Sequence, residues 1–193
     1  MVIKWSKTKS ILEGFICEKL QGRIKINATV YRKFHDEPSR VWITFDKKEI
    51  ISASDVTYQT RYEETYRKIK KKENLKGIPF NSNWEVMFQS PERQALIKAS
   101  DKSEEMMIDQ NIFSSYHFYE PFMEYSSLSI EEALSSENIL IRAFAMFDRR
   151  LGKRRLKNLR FTSENTHPLI LEFYKIRCDV EGIYVTKNPQ PKK

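Results

Sequence analysis

The sequence predicts an α+β protein, an N-terminal α-β-β(-β)-α unit packed against a mainly helical C-terminal part. Three observations lead there. Apolar residues recur at helical spacing over residues 5–17. They then alternate strictly over 23–31 and 41–46. Beyond residue 84 the helical period returns and does not give way to alternation again. Apolar residues make up 40% and charged residues 31% of the chain, a globular balance. Only 5 glycines are present, which disfavours glycine-rich phosphate loops and tight-turned all-β folds.

In the first helix Trp5, Ile11, Leu12, Phe15 and Ile16 share one face, and Gln21-Gly22 ends it. Ile24, Ile26, Ala28 and Val30 alternate with polar neighbours to give a half-buried strand. Lys33–Arg40, with Pro38, is a connecting loop. Val41, Ile43 and Phe45 form the inward side of a second strand, antiparallel to the first. Asp46-Lys47-Lys48 turns into a short third strand at Glu49–Ser52. Ser54 or Asp55 opens a helix that ends on Lys70-Lys71-Lys72, cations matched to its C-terminal dipole.

Gly77 and Pro79 mark 73–83 as a linker. Ser90-Pro91-Glu92 pairs an N-cap with proline at the first helical position. An acidic helix follows over 101–110, then one carrying Phe118, Phe122, Met123 and Tyr125, which Pro121 bends or begins. Ser129-Ile130-Glu131-Glu132 is a capping box. Asn138–Arg150 reads as the most apolar helix, with Leu140, Ile141, Phe144, Phe147 and Leu151 on its stripe. A last helix begins near Asn165, turns Ile170, Phe173 and Ile176 inward and stops at Gly182. The domains predicted are 1–76, an α+β subdomain, and 77–186, a helical one, with 187–193 a frayed tail; one continuous domain is the alternative.

No apolar run is long enough to cross a membrane, and the start of the chain has no leader-like core. Cys17 and Cys178 belong to no metal or redox pair and read as reduced, buried thiols. A cytoplasmic protein follows as the expectation. The net charge is +8, unevenly spread. Residues 1–80 carry 18 Lys and Arg against 10 acids, residues 81–147 carry 4 against 11, and residues 148–193 carry 12 against 5. The acidic middle either neutralises the basic ends or leaves one of them facing a polyanion.

The densest cationic run is Asp148–Arg160, whose Arg149, Arg150, Lys153, Arg154, Arg155, Lys157 and Arg160 have no acid between them. These seven are the candidate phosphate contacts. Leu151, Leu156 and Leu159 anchor the run to a core. The competing reading is a solvated face whose cations pair with Glu131, Glu132 and Glu137. Tyr58, Tyr62 and Tyr66 read as a packing seam between helix and sheet rather than a base-stacking stripe.

Helix–strands–helix with positive charge invites comparison with double-stranded-RNA-binding domains. However, Ser54-Asp55-Val56-Thr57-Tyr58 opens the second helix with no cation before Arg61, so the comparison stays an analogy. Catalytic signals are weak. His35-Asp36-Glu37 lies in one extended loop, His117 sits among aromatics, and His167 precedes Pro168 as a cap-region residue. No catalytic or metal-binding residue is assigned and no cofactor is implied. The leading expectation is a non-enzymatic binding protein with a basic surface for an anionic partner such as nucleic acid. The alternatives are a protein-binding or immunity-type module whose acidic middle or basic ends match an oppositely charged partner, an acidic protein among them, and a small metal-dependent hydrolase using Asp148 or the His35 loop.

Lys4-Trp5-Ser6-Lys7, Gly22-Arg23, Val41–Asp46, Leu128–Leu134 and Ile141–Arg154 resemble segments of a bacterial family of proteins about this long. Its marker is the C-terminal Asp-Arg-Arg-x-Gly-Lys-Arg block. The chain departs from it at Asn138-Ile139, where the family has Asn-Pro. The resemblance implies a cytoplasmic bacterial protein and names no activity.

Overall fold

The α+β class is realised in the structure, a computed structural model. It describes residues 5–30, 38–159, 161–162 and 164–183, with the side chains of residues 30 and 38 outside the description. The first helix, α1, spans Trp5–Phe15 and buries Thr8 and Leu12, one turn apart. Ile11, predicted on the inner face, points outward because the buried line runs through positions 8, 12 and 16. A 3₁₀ turn at Glu18–Leu20 follows, and the chain then reverses at Gly22, whose φ of 77° is left-handed and suits glycine.

Strands β1 (Ile24–Val30), β2 (Pro38–Phe45) and β3 (Lys48–Ser54) form one sheet in the order β1-β2-β3. β1 and β2 are antiparallel, with Ile24 opposite Phe45, Ile26 opposite Ile43 and Ala28 opposite Val41. Period-two patterning therefore puts one apolar face inward, against α1 and the helix containing Pro121. β2 begins earlier than its apolar residues indicate, taking in Pro38–Arg40, which had read as loop. Asp46 and Lys47 both have positive φ, 47° and 68°, which gives the primed two-residue turn that matches strand twist. Arg23 closes that corner with a 2.5 Å ion pair to Asp46, and the pair holds the Asp46 carboxyl below its usual range.

The chain forms two compact units, one made of 1–52 with 115–193 and the other of 53–114. The composition placed its boundary at 76/77. Instead, α2 (Asp55–Lys72) belongs with α4 (Pro91–Asp109), the helix it packs against. Tyr58, Tyr62 and Tyr66 stack ring on ring along α2, at 5.9 and 6.0 Å, and the Tyr62 hydroxyl lies 2.7 Å from Ser100 Oγ. The tyrosine seam thus joins helix to helix, not helix to sheet. Between them lies α3 (Trp84–Gln89), a short helix capped by Asn83, while Ser90 caps α4. The ends of this unit meet, since Ser54 N donates to Phe113 O at 3.0 Å.

The first unit continues with α5 (Ser115–Tyr125), in which Pro121 is internal and buried. Next come α6 (Ile130–Ser135), opened by the full Ser129/Glu132 capping box, and α7 (Ile139–Ala145), capped by Asn138. They are followed by α8 (Lys153–Asn158) and α9 (Pro168–Glu181). His167 caps α9, its Nδ1 accepting from Leu169 N. α9 packs on α7, and Phe147 stacks on Phe173 at 4.4 Å. Among the described residues no helix is long and apolar enough to cross a membrane.

Candidate anion-binding site

The cationic run begins where α7 ends. The apolar stripe predicts one helix over 138–150, yet α7 stops at Ala145. Two successive turn bonds, Phe147 N to Phe144 O and Asp148 N to Ala145 O, tighten the chain. The Asp148 Oδ1 then accepts from Arg150 N at 2.7 Å, so a local carboxylate takes over a backbone donor. The chain next runs beside the end of α1. Cys17 N donates to Phe147 O at 2.8 Å, and Arg149 N donates to Phe15 O at 2.7 Å.

Asp148 is wholly buried. The Tyr125 hydroxyl donates to its Oδ2. Arg150 Nη2 donates to the same oxygen at 2.7 Å, and Arg150 Nε lies 3.1 Å from both oxygens. The Arg150 guanidinium also donates to Leu128 O at 2.7 Å and lies over the Phe15 ring at 4.3 Å. Burial, followed by the neighbouring Asp148 charge, pushes the Tyr125 phenol well above its ordinary value. The hydrogen bond to Asp148 raises Arg150 in turn. Both partners therefore stay in the forms that bind each other, a neutral donor and a cation facing a carboxylate.

Arg177, on α9, approaches the same turn from its carbonyl side. Its Nη1 donates to Asp148 O at 3.2 Å and Met146 O at 3.5 Å, and its Nη2 donates to Leu151 O at 3.1 Å. Its Nε faces Glu181 Oε1 at 3.3 Å, an ion pair without hydrogen-bond geometry. One buried guanidinium thus satisfies carbonyls that the broken helix leaves exposed. The sequence reading missed Arg177, although a signal exists. It occupies the buried line Ile170, Phe173, Tyr174, Arg177, where a charged residue among apolar ones needs a buried partner.

The seven candidate cations divide. Arg150 is held by Asp148 and Leu128 O. Lys153 Nζ donates to Glu181 O at the end of α9, at 2.5 Å. Arg155 pairs with Glu131 at 2.5 Å, and that bond lowers the Glu131 carboxyl. Glu132 serves the capping box instead. Arg149, Arg154 and Lys157 are exposed and have no ion-pair partner among the described residues. Arg154 and Lys157 are three apart on α8 and share a face, while Leu156 is buried beneath the helix. Arg160 lies outside the described residues, as do His35, Asp36 and Glu37.

Cys17 and Cys178 are buried and unpaired, and burial raises both thiols. Cys17 lies just past the end of α1. Among the described residues no cluster of three His, Cys, Asp or Glu could hold a metal ion. No curated protein and no solved structure matches the chain. A family model, by contrast, matches residues 4–178, and on that span the chain belongs to the SF0329 protein family.

Proposed function

We propose that this protein is a non-enzymatic binding protein whose partner is a polyanion, with nucleic acid the class that fits best. The supporting observation is the set of exposed cations Arg149, Arg154 and Lys157, standing on a segment fixed from below by Asp148, Arg150 and Arg177. A rigid base lowers the entropy lost when such side chains meet phosphate. Two of the three are arginines, whose planar fork matches phosphate oxygens. The charge distribution supports the same unit. Residues 53–114 carry 10 Lys and Arg against 10 acids, so the whole excess of +8 belongs to 1–52 and 115–193. The two buried thiols fit a reducing compartment such as the cytoplasm.

The test is fluorescence anisotropy with mixed-sequence DNA and RNA between about 50 and 200 mM salt. Binding is expected to weaken steeply with salt. The triple variant Arg149→Ala, Arg154→Ala, Lys157→Ala is expected to lower the log–log salt slope by about 2 to 3. No salt-dependent binding even at about 50 mM would end the proposal. Binding to polyglutamate but to neither nucleic acid would transfer it to an acidic protein.

A further inference from the structure

The second unit carries a feature that polyanion binding leaves unexplained. Phe80 is 90% exposed, Trp84 70% and Phe88 52%, all within nine residues, and α3 buries none of its own side chains. Large aromatics normally supply core burial, so an exposed stripe of them is informative where a lone exposed leucine is not. The stripe is ordered: Trp84 and Phe88 are four apart with ring centroids 6.4 Å from each other. Arg93 extends it, its guanidinium 4.1 Å from the centre of the Phe88 ring and its Nη1 donating to Phe88 O at 3.2 Å.

We propose that this aromatic face is where two copies of the chain meet, in an isologous dimer built on α3. Three properties favour a second copy over other occupants. The first is area. The three rings offer roughly 400 Å² of apolar surface, about half of the roughly 800 Å² per partner that a stable interface buries. The second is charge. The unit bearing the stripe is neutral, 10 cations against 10 acids, so two copies meet there without the repulsion that the +8 of the other unit creates. The third is complementarity. Glu85 and Arg93 flank the stripe, and neither has an ion-pair partner among the described residues. Across a two-fold axis a contact between Arg93 of one copy and Glu85 of the other is made twice, because the same patch serves both sides.

Sedimentation equilibrium of the full chain without nucleic acid, from low to high micromolar, tests this separately from the proposed function. The wild type is expected to pass from monomer to dimer. Trp84→Glu with Phe88→Glu is expected to stay monomeric with an unchanged circular dichroism spectrum, since both side chains are exposed. Arg93→Glu or Glu85→Arg alone is expected to weaken the dimer by about tenfold, and the two together to restore it, because both copies then carry the reversed pair. A wild type that stays monomeric throughout overturns the proposal, even if another protein binds the stripe. So does a dimer that survives the two glutamates.

Discussion

Burying the Asp148 carboxylate costs several kcal/mol unless donors replace the lost water. Tyr125, the Arg150 backbone and the Arg150 guanidinium supply them. Asp148→Asn keeps the shape and removes the charge that all three donors face. It is expected to cost about 3 kcal/mol, read as a lower urea midpoint. Arg154→Ala, at an exposed position of the same run, is expected to stay within about 0.5 kcal/mol of the wild type. Equal effects from the two substitutions would mean that the buried network does not anchor the segment. The contrast also marks the limit of sequence reading here. Arg150 and Arg154 are the same residue type in one cationic run, and the Asp148 carboxylate, the Leu128 carbonyl and the Phe15 ring separate their roles.

Element boundaries followed local chemistry wherever that chemistry was self-contained. Ser129 and Glu132 make their capping box within four residues, so the start of α6 was legible. The Gly182 stop of α9 was legible for the same reason, with φ 65° and ψ 39° in the left-handed region. A methyl group at Gly182 would touch nothing within 4 Å. Gly182→Ala should therefore cost only the backbone strain, about 1 kcal/mol, measured as a shift in the urea midpoint. A larger loss would show that the glycine also makes room for a neighbour. The end of α7 was not legible. Apolar periodicity runs on through Phe147 and Leu151, and the helix breaks because α1 and the Asp148 carboxylate take the backbone donors of residues 149 and 150. α3 escaped notice because a six-residue helix with no buried face leaves no periodic signal.

At the scale of the molecule, burial sets a common response to alkali. Burial pushes the Tyr58 and Tyr174 phenols up to about 12, with Glu104 adding to the first and Cys178 to the second. It raises both thiols as well. Unfolded, these groups lose their protons near their ordinary values, so from about pH 9 to 12 the unfolded chain binds fewer protons than the native one. Stability is therefore complete below that window and falls through it as pH rises. Thermal melts from about pH 8 to 11 should show a declining midpoint, less steep in Tyr58→Phe. A flat profile in the wild type would contradict the burial of these groups.

The order helix, strands, helices was determined by the sequence alone, because periods of 3.6 and 2 are written in neighbouring residues and need no distant partner. Charge density in 149–160 was legible for the same reason. Tertiary structure decided which of the described cations in that run have partners, because the answer depends on carboxylates, carbonyls and a ring brought from residues 15, 128, 131, 148 and 181. It also decided that 53–114 form a unit of their own, since that grouping rests on α2 packing against α4 across a connection whose composition had looked like a boundary.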